Sequence, residues 1–271
     1  MLQRSINRFF ATVGLILHTK QGTWKPIFYT PIYQQEEVIM SDFSQSDRTF
    51  QIIMKHLMET GKAPHYTEIA DELHVPVEQG RKALHELFSP GFPAWLFPNT
   101  DYICSFPPFS NLPTQYRITI DSQQKWFGQW GFESLAVCWL FPGKTVQIDA
   151  PCLDCGSPIR VEIKDGKVLN AEPKGIMGYT SVPFKDWFKD LPYSWSTMNL
   201  FRSEEHVRNW NGFKANTDEG INKLSDVVRL FSVNFFSKRL DPDYASRMHD
   251  YLMELIGILK GMGSFWQPPE Q

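Results

Sequence analysis

Helical spacing of apolar residues is the clearest pattern in the chain after residue 41. The first stretch carries it at Phe50, Ile53, Met54 and Leu57. Because residues three and four positions apart lie on one face of a helix, this spacing predicts an amphipathic helix. Ser46 can cap its start, since a serine oxygen accepts from the free N–H groups of a first turn, and Gly61 can end it.

Two shorter helices and a hairpin are predicted next. "YTEIADEL" and "VEQGRKALHELF" keep helical spacing, with the turn "HVP" between them, and "AWLF-PNTD-YICSF" predicts a strand, a turn and a strand. Three helices and a hairpin in this order resemble a winged helix-turn-helix. The proline-rich stretch "PPFSNLPTQ", residues 107–115, is predicted to link this region to a second one.

The second region mixes strands and helices. "TVQIDA" and "IRVEI" predict strands, and "KDGK" is typical of the turn of a hairpin that returns through "KVLNAEP". "PFKDWFKDL" predicts a short helix and "YSWSTMNLF" an alternating strand. Two helices, over roughly 218–238 and 243–260, close the chain. The pattern indicates an α+β fold.

One carboxylate lies within an apolar stripe. Residues 122–141 are predicted to form a helix, and Trp126, Trp130, Glu133, Val137 and Leu140 would share one face of it. Burial disfavours the charged form of a carboxylate and raises its pKa, so Glu133 is a candidate general acid. The alternative is a structural glutamate that is hydrogen-bonded to neighbouring backbone.

Composition and charge exclude several classes of protein. The net charge of −3 gives no electrostatic case for nucleic acid or an anionic membrane, and no apolar run approaches the roughly 20 residues of a membrane span. Four cysteines are too few for a secreted disulfide scaffold, which favours a cytoplasmic protein. The predicted third helix and its surroundings, residues 61–90, carry a net −2, which argues against DNA binding there.

The start of the chain has two interpretations. Arg4 and Arg8 precede "FFATVGLIL", a pattern similar to a signal peptide, but no small-residue cleavage site follows. Alternatively, "MSDFSQSD" from Met40 is typical of a bacterial start, and codons for residues 35–38 can spell a ribosome-binding site, which would leave residues 1–39 untranslated. This segment is therefore kept out of the fold argument.

Cys152 and Cys155 form a C-x-x-C pair with four interpretations. A zinc knuckle needs two further ligands, and the chain has no second C-x-x-C, so a soft metal is favoured over zinc. A thioredoxin-like redox pair opens a helix, whereas Gly156, Ser157 and Pro158 argue against a helix here. The two thiols are otherwise a bis-thiolate clamp for a soft metal or incidental members of a turn.

Several segments together resemble the alkylmercury (organomercurial) lyase family. They are "GKTVQIDAPC", "VLNAEP" and "YSWSTMNLFRSEEHVRNW", after a winged-helix-like lobe and a helix that carries an acid; the resemblance spans roughly residues 45–240. It implies a lyase in which two cysteine thiolates hold mercury while an aspartate protonates the leaving carbon. Thiolates suit this task because mercury(II) prefers sulfur ligands.

The chain departs from that family at the positions that matter for catalysis. Aligning the acid places Glu133 at the aspartate and Trp130 at the first cysteine, while an ungapped alignment places Ser134 and Gly131 there. The second cysteine corresponds to Ser196 or Trp195. Cys152 matches a family cysteine usually interpreted as structural, and Cys155 is particular to this chain.

Three functional hypotheses follow, together with a division of the chain. The first is an alkylmercury lyase-like protein with a degenerate active site, which binds a small ligand or a soft metal such as mercury and needs no other cofactor. The second is an active lyase that uses Cys152 and Cys155 with Glu133 as the acid. The third is a winged-helix transcription regulator with a ligand-sensing C-terminal domain. The predicted domains are a leader at 1–40, the winged helix-turn-helix-like domain at 41–115 and the lyase-like domain at 116–271.

Overall fold

Three helices begin the described part of the chain. The computed structural model describes residues 43–88, 93–210, 218–232 and 236–268, so the predicted leader lies outside the described residues. The helices are α1 Gln45–Thr60, α2 Tyr66–Leu73 and α3 Val77–Leu87. Gly61 ends α1 in the left-handed region, as predicted, but Ser44 rather than Ser46 caps its start by accepting from Asp47 N.

An eight-stranded antiparallel sheet follows. Its strands are β1 Trp95–Leu96, β2 Ile103–Phe106, β3 Phe109–Ser110, β4 Arg117–Ile120, β5 Gln123–Gly128, β6 Val146–Pro151, β7 Pro158–Lys164 and β8 Lys167–Glu172. Their order across the sheet is β1-β2-β3-β5-β4-β6-β7-β8. The predicted strands around the C-x-x-C turn and the hairpin at "KDGK" are confirmed as β6, β7 and β8.

The predicted helix over residues 122–141 is wrong. Asp121 and Ser122 both have positive φ, and they form a two-residue turn that joins β4 to β5 as a hairpin. Helix α4 is confined to Gly131–Ala136 and continues as a 3₁₀ turn, Val137–Trp139. The apolar residues with helical spacing therefore lie partly on strand β5 and partly on helix α4. Their spacing does not reflect one helix, because the turn at 121–122 makes residues 123–128 a strand.

A small second sheet and short helices complete the fold. The sheet has the order β10-β9-β11, from β9 Met177–Tyr179, β10 Asn199–Phe201 and β11 Ile221–Lys223. The remaining helices are α5 Leu191–Ser196, α6 Glu204–Asn209, α7 Leu224–Ser232 and α8 Tyr244–Leu259. Single 3₁₀ turns occupy Phe184–Lys189, Asp218–Gly220, Lys260–Met262 and Ser264–Trp266.

Two of the predicted C-terminal elements need correction. The predicted strand "YSWSTMNLF", residues 193–201, begins as the end of helix α5, because Asp190 caps that helix by accepting from Tyr193 N at 3.0 Å and Pro192 fits its first turn. Only its last three residues are a strand, β10. The predicted helix over roughly 218–238 begins later, since residues 221–223 are β11. The last predicted helix is confirmed as α8.

Helices and sheet share one hydrophobic core. Phe50 of α1 packs against Phe106 of β2, with ring centroids 5.0 Å apart, and Trp126 of β5 donates its indole N–H to Leu57 O at 2.9 Å. Residues 43–271 form one compact unit. Strands from both sides of residue 115 pair within one sheet, while the division into two domains and the winged-helix assignment stay predictions. Among the described residues, no helix has the length and hydropathy needed to cross a membrane.

Candidate functional site

The C-x-x-C pair lies in the tight turn between β6 and β7. Cys152 N donates to Ser157 O at 2.8 Å, and Gly156 N donates to Cys152 O at 2.9 Å. Gly156 has φ +71°, a value that glycine adopts without strain. The turn leads into β7 rather than into a helix, so the thiols do not have the helix-start position of a thioredoxin-like pair.

A histidine far along the chain joins the two cysteines. His206 lies in α6, whose start is capped by Ser203, and its Nδ1 donates to Asp154 Oδ2 at 2.7 Å. One ring nitrogen of His206 and the Sγ atoms of Cys152 and Cys155 all lie within 4.8 Å of one another. We call Cys152, Cys155 and His206 the three-donor cluster. Two thiols and an imidazole are the donors that thiophilic metal ions bind.

The two thiols of the cluster differ in exposure and acidity. Cys152 is 1% exposed, whereas Cys155 is exposed. Hydrogen bonds from the hydroxyl and the backbone N–H of Ser157 are the main cause that lowers the pKa of Cys155 to about 7, with smaller contributions from Cys152 and His206. A substantial fraction of Cys155 is therefore thiolate at neutral pH, and the thiolate is the form that binds metals.

His206 and Asp154 are site residues that the sequence did not reveal. Asp154 lies inside the C-x-x-C motif, and His206 follows Ser203 in a stretch that predicts only a helix start. Neither has a spacing to the cysteines that is typical of a metal site. The position of His206 beside Asp154 and the thiols depends on the packing of α6 against the β6–β7 turn, which no local pattern encodes.

Glu133 is buried, but on α4 and outside the three-donor cluster. Its side chain is 0% exposed, and neither carboxylate oxygen has a hydrogen-bond partner among the described residues. Burial raises the pKa of Glu133 to about 8, and the positive charge of Arg239 opposes the shift. Glu133 is therefore a neutral carboxylic acid at neutral pH. Its burial, predicted from the sequence, is confirmed, while its catalytic role stays a prediction.

Ser196 lies at the end of helix α5, rather than on the predicted strand. Its Oγ donates to Tyr193 O at 2.6 Å, the local bond of a helix end. A hydroxyl that remains protonated is a poor ligand for a soft metal. Trp195, the alternative at this position, is buried.

The other family positions lie where α4 meets β10. Gly131 N donates to Met198 O at 2.8 Å, and Tyr116 donates its hydroxyl to Asn199 Oδ1 at 2.9 Å. A Cβ atom at position 131 would lie 2.9 Å from Met198 O and 3.0 Å from Tyr116 Oη. Ser134 is fully buried, with its hydroxyl donating to Trp130 O at 2.6 Å. We call Tyr116, Gly131, Ser134, Met198 and Asn199 the α4–β10 seam.

Comparison with known proteins identifies the family of this region. Residues 109–235 match the family model of the alkylmercury lyase, MerB. The comparison with curated proteins finds no match. Among solved structures, the crystal structure of the mercury-bound form of MerB2 is similar, with a TM-score of 0.54 and 18% sequence identity. That likeness covers 78% of this chain and 98% of the other, and at this identity it shows the α+β fold alone. Residues 109–235, which hold both the three-donor cluster and the α4–β10 seam, therefore belong to the alkylmercury lyase family.

Proposed function

We propose that this chain is an alkylmercury lyase-like protein that binds mercury compounds through Cys152 and Cys155 without cleaving carbon–mercury bonds by the family's usual route. The observation that carries the proposal is the meeting of two thiols in one turn, with their Sγ atoms within 4.8 Å. Two thiolates form the strongest protein ligand set for a soft ion such as mercury(II).

The difference between the two thiols supports a two-step capture. Cys155 is exposed and has a pKa lowered to about 7, so its thiolate can displace a weaker anionic ligand from the mercury atom. The mercury–sulfur bond forms as the displaced anion leaves. Buried Cys152 then supplies the second sulfur and loses its proton to solvent.

The absence of the usual cleavage rests on the residues at the family's catalytic positions. The resemblance requires two thiols near the acid, and the residues that align there are Gly131 or Trp130 and Ser196 or Trp195. None of them is a thiol. The close packing of the α4–β10 seam supports the same conclusion, because the Gly131 backbone contacts Met198 directly and a side chain there would crowd Tyr116.

A binding and turnover experiment tests the proposal. Reduced protein is mixed with one equivalent of a phenylmercury salt, and iodoacetamide labelling is mapped by mass spectrometry. We expect mercury to protect Cys155 from labelling, while Cys104, the control thiol, labels as in the metal-free protein. With excess thiol present, we expect no benzene above the buffer rate. Undiminished labelling of Cys155, or benzene release, would contradict the proposal.

An active lyase is the second candidate, and one observation favours it. Burial keeps Glu133 protonated at neutral pH, so a proton is available for a leaving carbanion. Burial raises the pKa of Tyr116 above its usual range, and the charges of Glu133 and Cys152 raise it further. Benzene release that disappears in both Glu133→Gln and Cys152→Ser would establish this candidate instead.

Nucleic acid is not favoured as a partner. Two side chains of α3 that could donate to phosphate already hold a carboxylate, because Arg81 Nε donates to Asp101 at 3.0 Å and His85 Nε2 donates to it at 2.6 Å. Phosphate binding would have to compete with Asp101, in a region whose net charge is already negative. This supports a structural role for the N-terminal helices over DNA recognition.

A further inference from the structure

The three-donor cluster has one more ligand than mercury capture requires. Two thiolates suffice for a soft ion, yet His206 places an imidazole nitrogen within 4.8 Å of both Sγ atoms. It does so from a different element, α6, while Cys152 and Cys155 belong to the β6–β7 turn. Two unrelated parts of the chain therefore bring their metal-binding atoms to one point.

The histidine is held as metal-bound histidines are held. Asp154 accepts from His206 Nδ1 at 2.7 Å, so the ring is fixed and Nε2 is the nitrogen left for a ligand. Carboxylate–histidine pairs of this kind orient the imidazole and make it a stronger donor to a metal. Ser203 adds a second constraint, since its hydroxyl caps α6 by accepting from His206 N at 3.4 Å.

The donor set and its size suit a tetrahedral divalent ion. Zinc takes bonds of about 2.3 Å to sulfur and 2.1 Å to nitrogen, which place tetrahedral donors about 3.5–3.8 Å apart. The observed donors, all within 4.8 Å, reach that spacing by small side-chain rotations. Two thiolates balance the charge of the ion, and a neutral imidazole leaves the complex uncharged.

Three protein ligands would leave one coordination position of a zinc ion for water or substrate. Among the described residues, the group of donors within reach has three members, and zinc sites with three protein ligands keep a fourth position for water or substrate. Cys155 is exposed, so water could reach a metal ion held by its sulfur. The sequence alone argued against zinc because no further ligands were found beside the C-x-x-C pair. His206 supplies one of the two ligands that were missing.

We propose that Cys152, Cys155 and His206 form a zinc site with an open fourth position, oriented by Asp154. The inference rests on the proposed function, because it uses the same pair of thiols. It adds a bound zinc ion, for which His206 is the third ligand. Mercury(II) or an organomercurial would displace zinc by taking the two sulfurs, since soft ions gain more from thiolates than zinc does. Zinc would then dissociate, and His206 would no longer bind a metal ion.

The experiment compares zinc and mercury on the same variants of the full chain. Chelator-treated, reduced protein is titrated with cobalt(II), whose thiolate charge-transfer absorption and d–d bands report sulfur ligation and tetrahedral geometry. Zinc affinity then follows from displacement of cobalt. The variants are His206→Gln, which removes a ligand, and Asp154→Asn, which removes its orienting carboxylate. His249→Gln, on the exposed face of α8, is the matched control. Circular dichroism checks that each variant folds.

The expected results separate the two proposals. One equivalent of cobalt should bind the wild type, and Asp154→Asn should weaken zinc about 10–100-fold, with a larger loss in His206→Gln. Mercury binding should persist in His206→Gln, because both thiols remain. Absence of cobalt binding by the wild type, or equal zinc affinities in wild type and His206→Gln, would overturn the zinc site. Mercury protection of Cys155, measured alongside, decides the proposed function by itself.

Discussion

The three-donor cluster and the α4–β10 seam lie in the same compact unit, residues 43–271, and they are built in opposite ways. The seam is closed by backbone, with Gly131 N bonded to Met198 O and Ser134 fully buried. The cluster combines a buried and an exposed thiol with a partly buried histidine. The seam has no thiol and no space for a side chain at position 131, whereas the cluster has two thiols, one of which is exposed to solvent. If the cluster binds mercury as proposed, the chain keeps the fold of the family while its metal-binding groups lie at another point.

The largest expected effect is on mercury affinity when the cluster loses a thiol. Cys155→Ser should weaken binding of mercury(II) about 10²–10⁴-fold, because the second sulfur no longer binds intramolecularly. Competition against a small dithiol measures the change. Cys104→Ser, a half-buried thiol outside the cluster, should leave the affinity unchanged. Equal losses in the two variants would remove the distinction between the cluster and the rest of the chain.

The next effect is a pH dependence of stability that comes from Glu133. Its pKa in the folded protein, raised to about 8, lies above the unfolded value of 4.5, so the unfolded state releases its proton first as pH rises. The folded state should therefore lose about 1.4 kcal/mol per pH unit between these values, with no further loss above pH 8. Urea denaturation of wild type and Glu133→Gln from pH 5 to 8 measures the difference in slope. Parallel curves would show that Glu133 ionises normally.

A smaller effect should follow from adding a side chain to the seam. Gly131→Ala places a Cβ atom 2.9 Å from Met198 O and 3.0 Å from Asn199 Cα, both backbone atoms, so the structure must shift. We expect a loss of about 1–3 kcal/mol in the free energy of unfolding. Gly257→Ala in α8 is the control, since nothing lies near its Cβ position and alanine should stabilise the helix by about 0.5–1 kcal/mol. Equal changes in the free energy of unfolding for the two variants would show that a methyl group fits at position 131.

The smallest effect concerns the acidity of the exposed thiol. In metal-free protein, the rate of Cys155 alkylation should rise with a midpoint near its pKa of about 7. Ser157→Ala removes the hydroxyl hydrogen bond that contributes most to this lowered pKa, so the midpoint should move to higher pH. Mass spectrometry of Cys155 alkylation at each pH gives the rates from which this midpoint is determined. An unshifted midpoint would assign the acidity to the remaining groups around Cys155.

Local patterns predicted much of the fold because turns and caps depend on neighbouring residues. The left-handed Gly61 ends α1 as predicted, and Asp165 and Gly166, both with positive φ, form the predicted hairpin turn between β7 and β8. The errors arose where two local signals competed. The helical spacing across 122–141 predicted a helix, but the turn at Asp121 and Ser122 forms a hairpin instead. The alternation across 193–201 predicted a strand, but the cap at Asp190 starts a helix there.

By itself, the sequence determined the α+β class and the C-x-x-C pair, because each follows from residue type and short-range spacing, and it carried the segments that resemble the alkylmercury lyase family. The burial of Glu133 is confirmed, although the helix over 122–141 from which it was predicted is not present. Only the tertiary structure placed His206 beside Asp154 and the two thiols and packed Gly131 against Met198. Such contacts join segments about fifty or more residues apart, and long-range packing, not any local preference, sets them. The two cysteines were thus visible as a pair in the chain, whereas their meeting with His206 was decided by the fold.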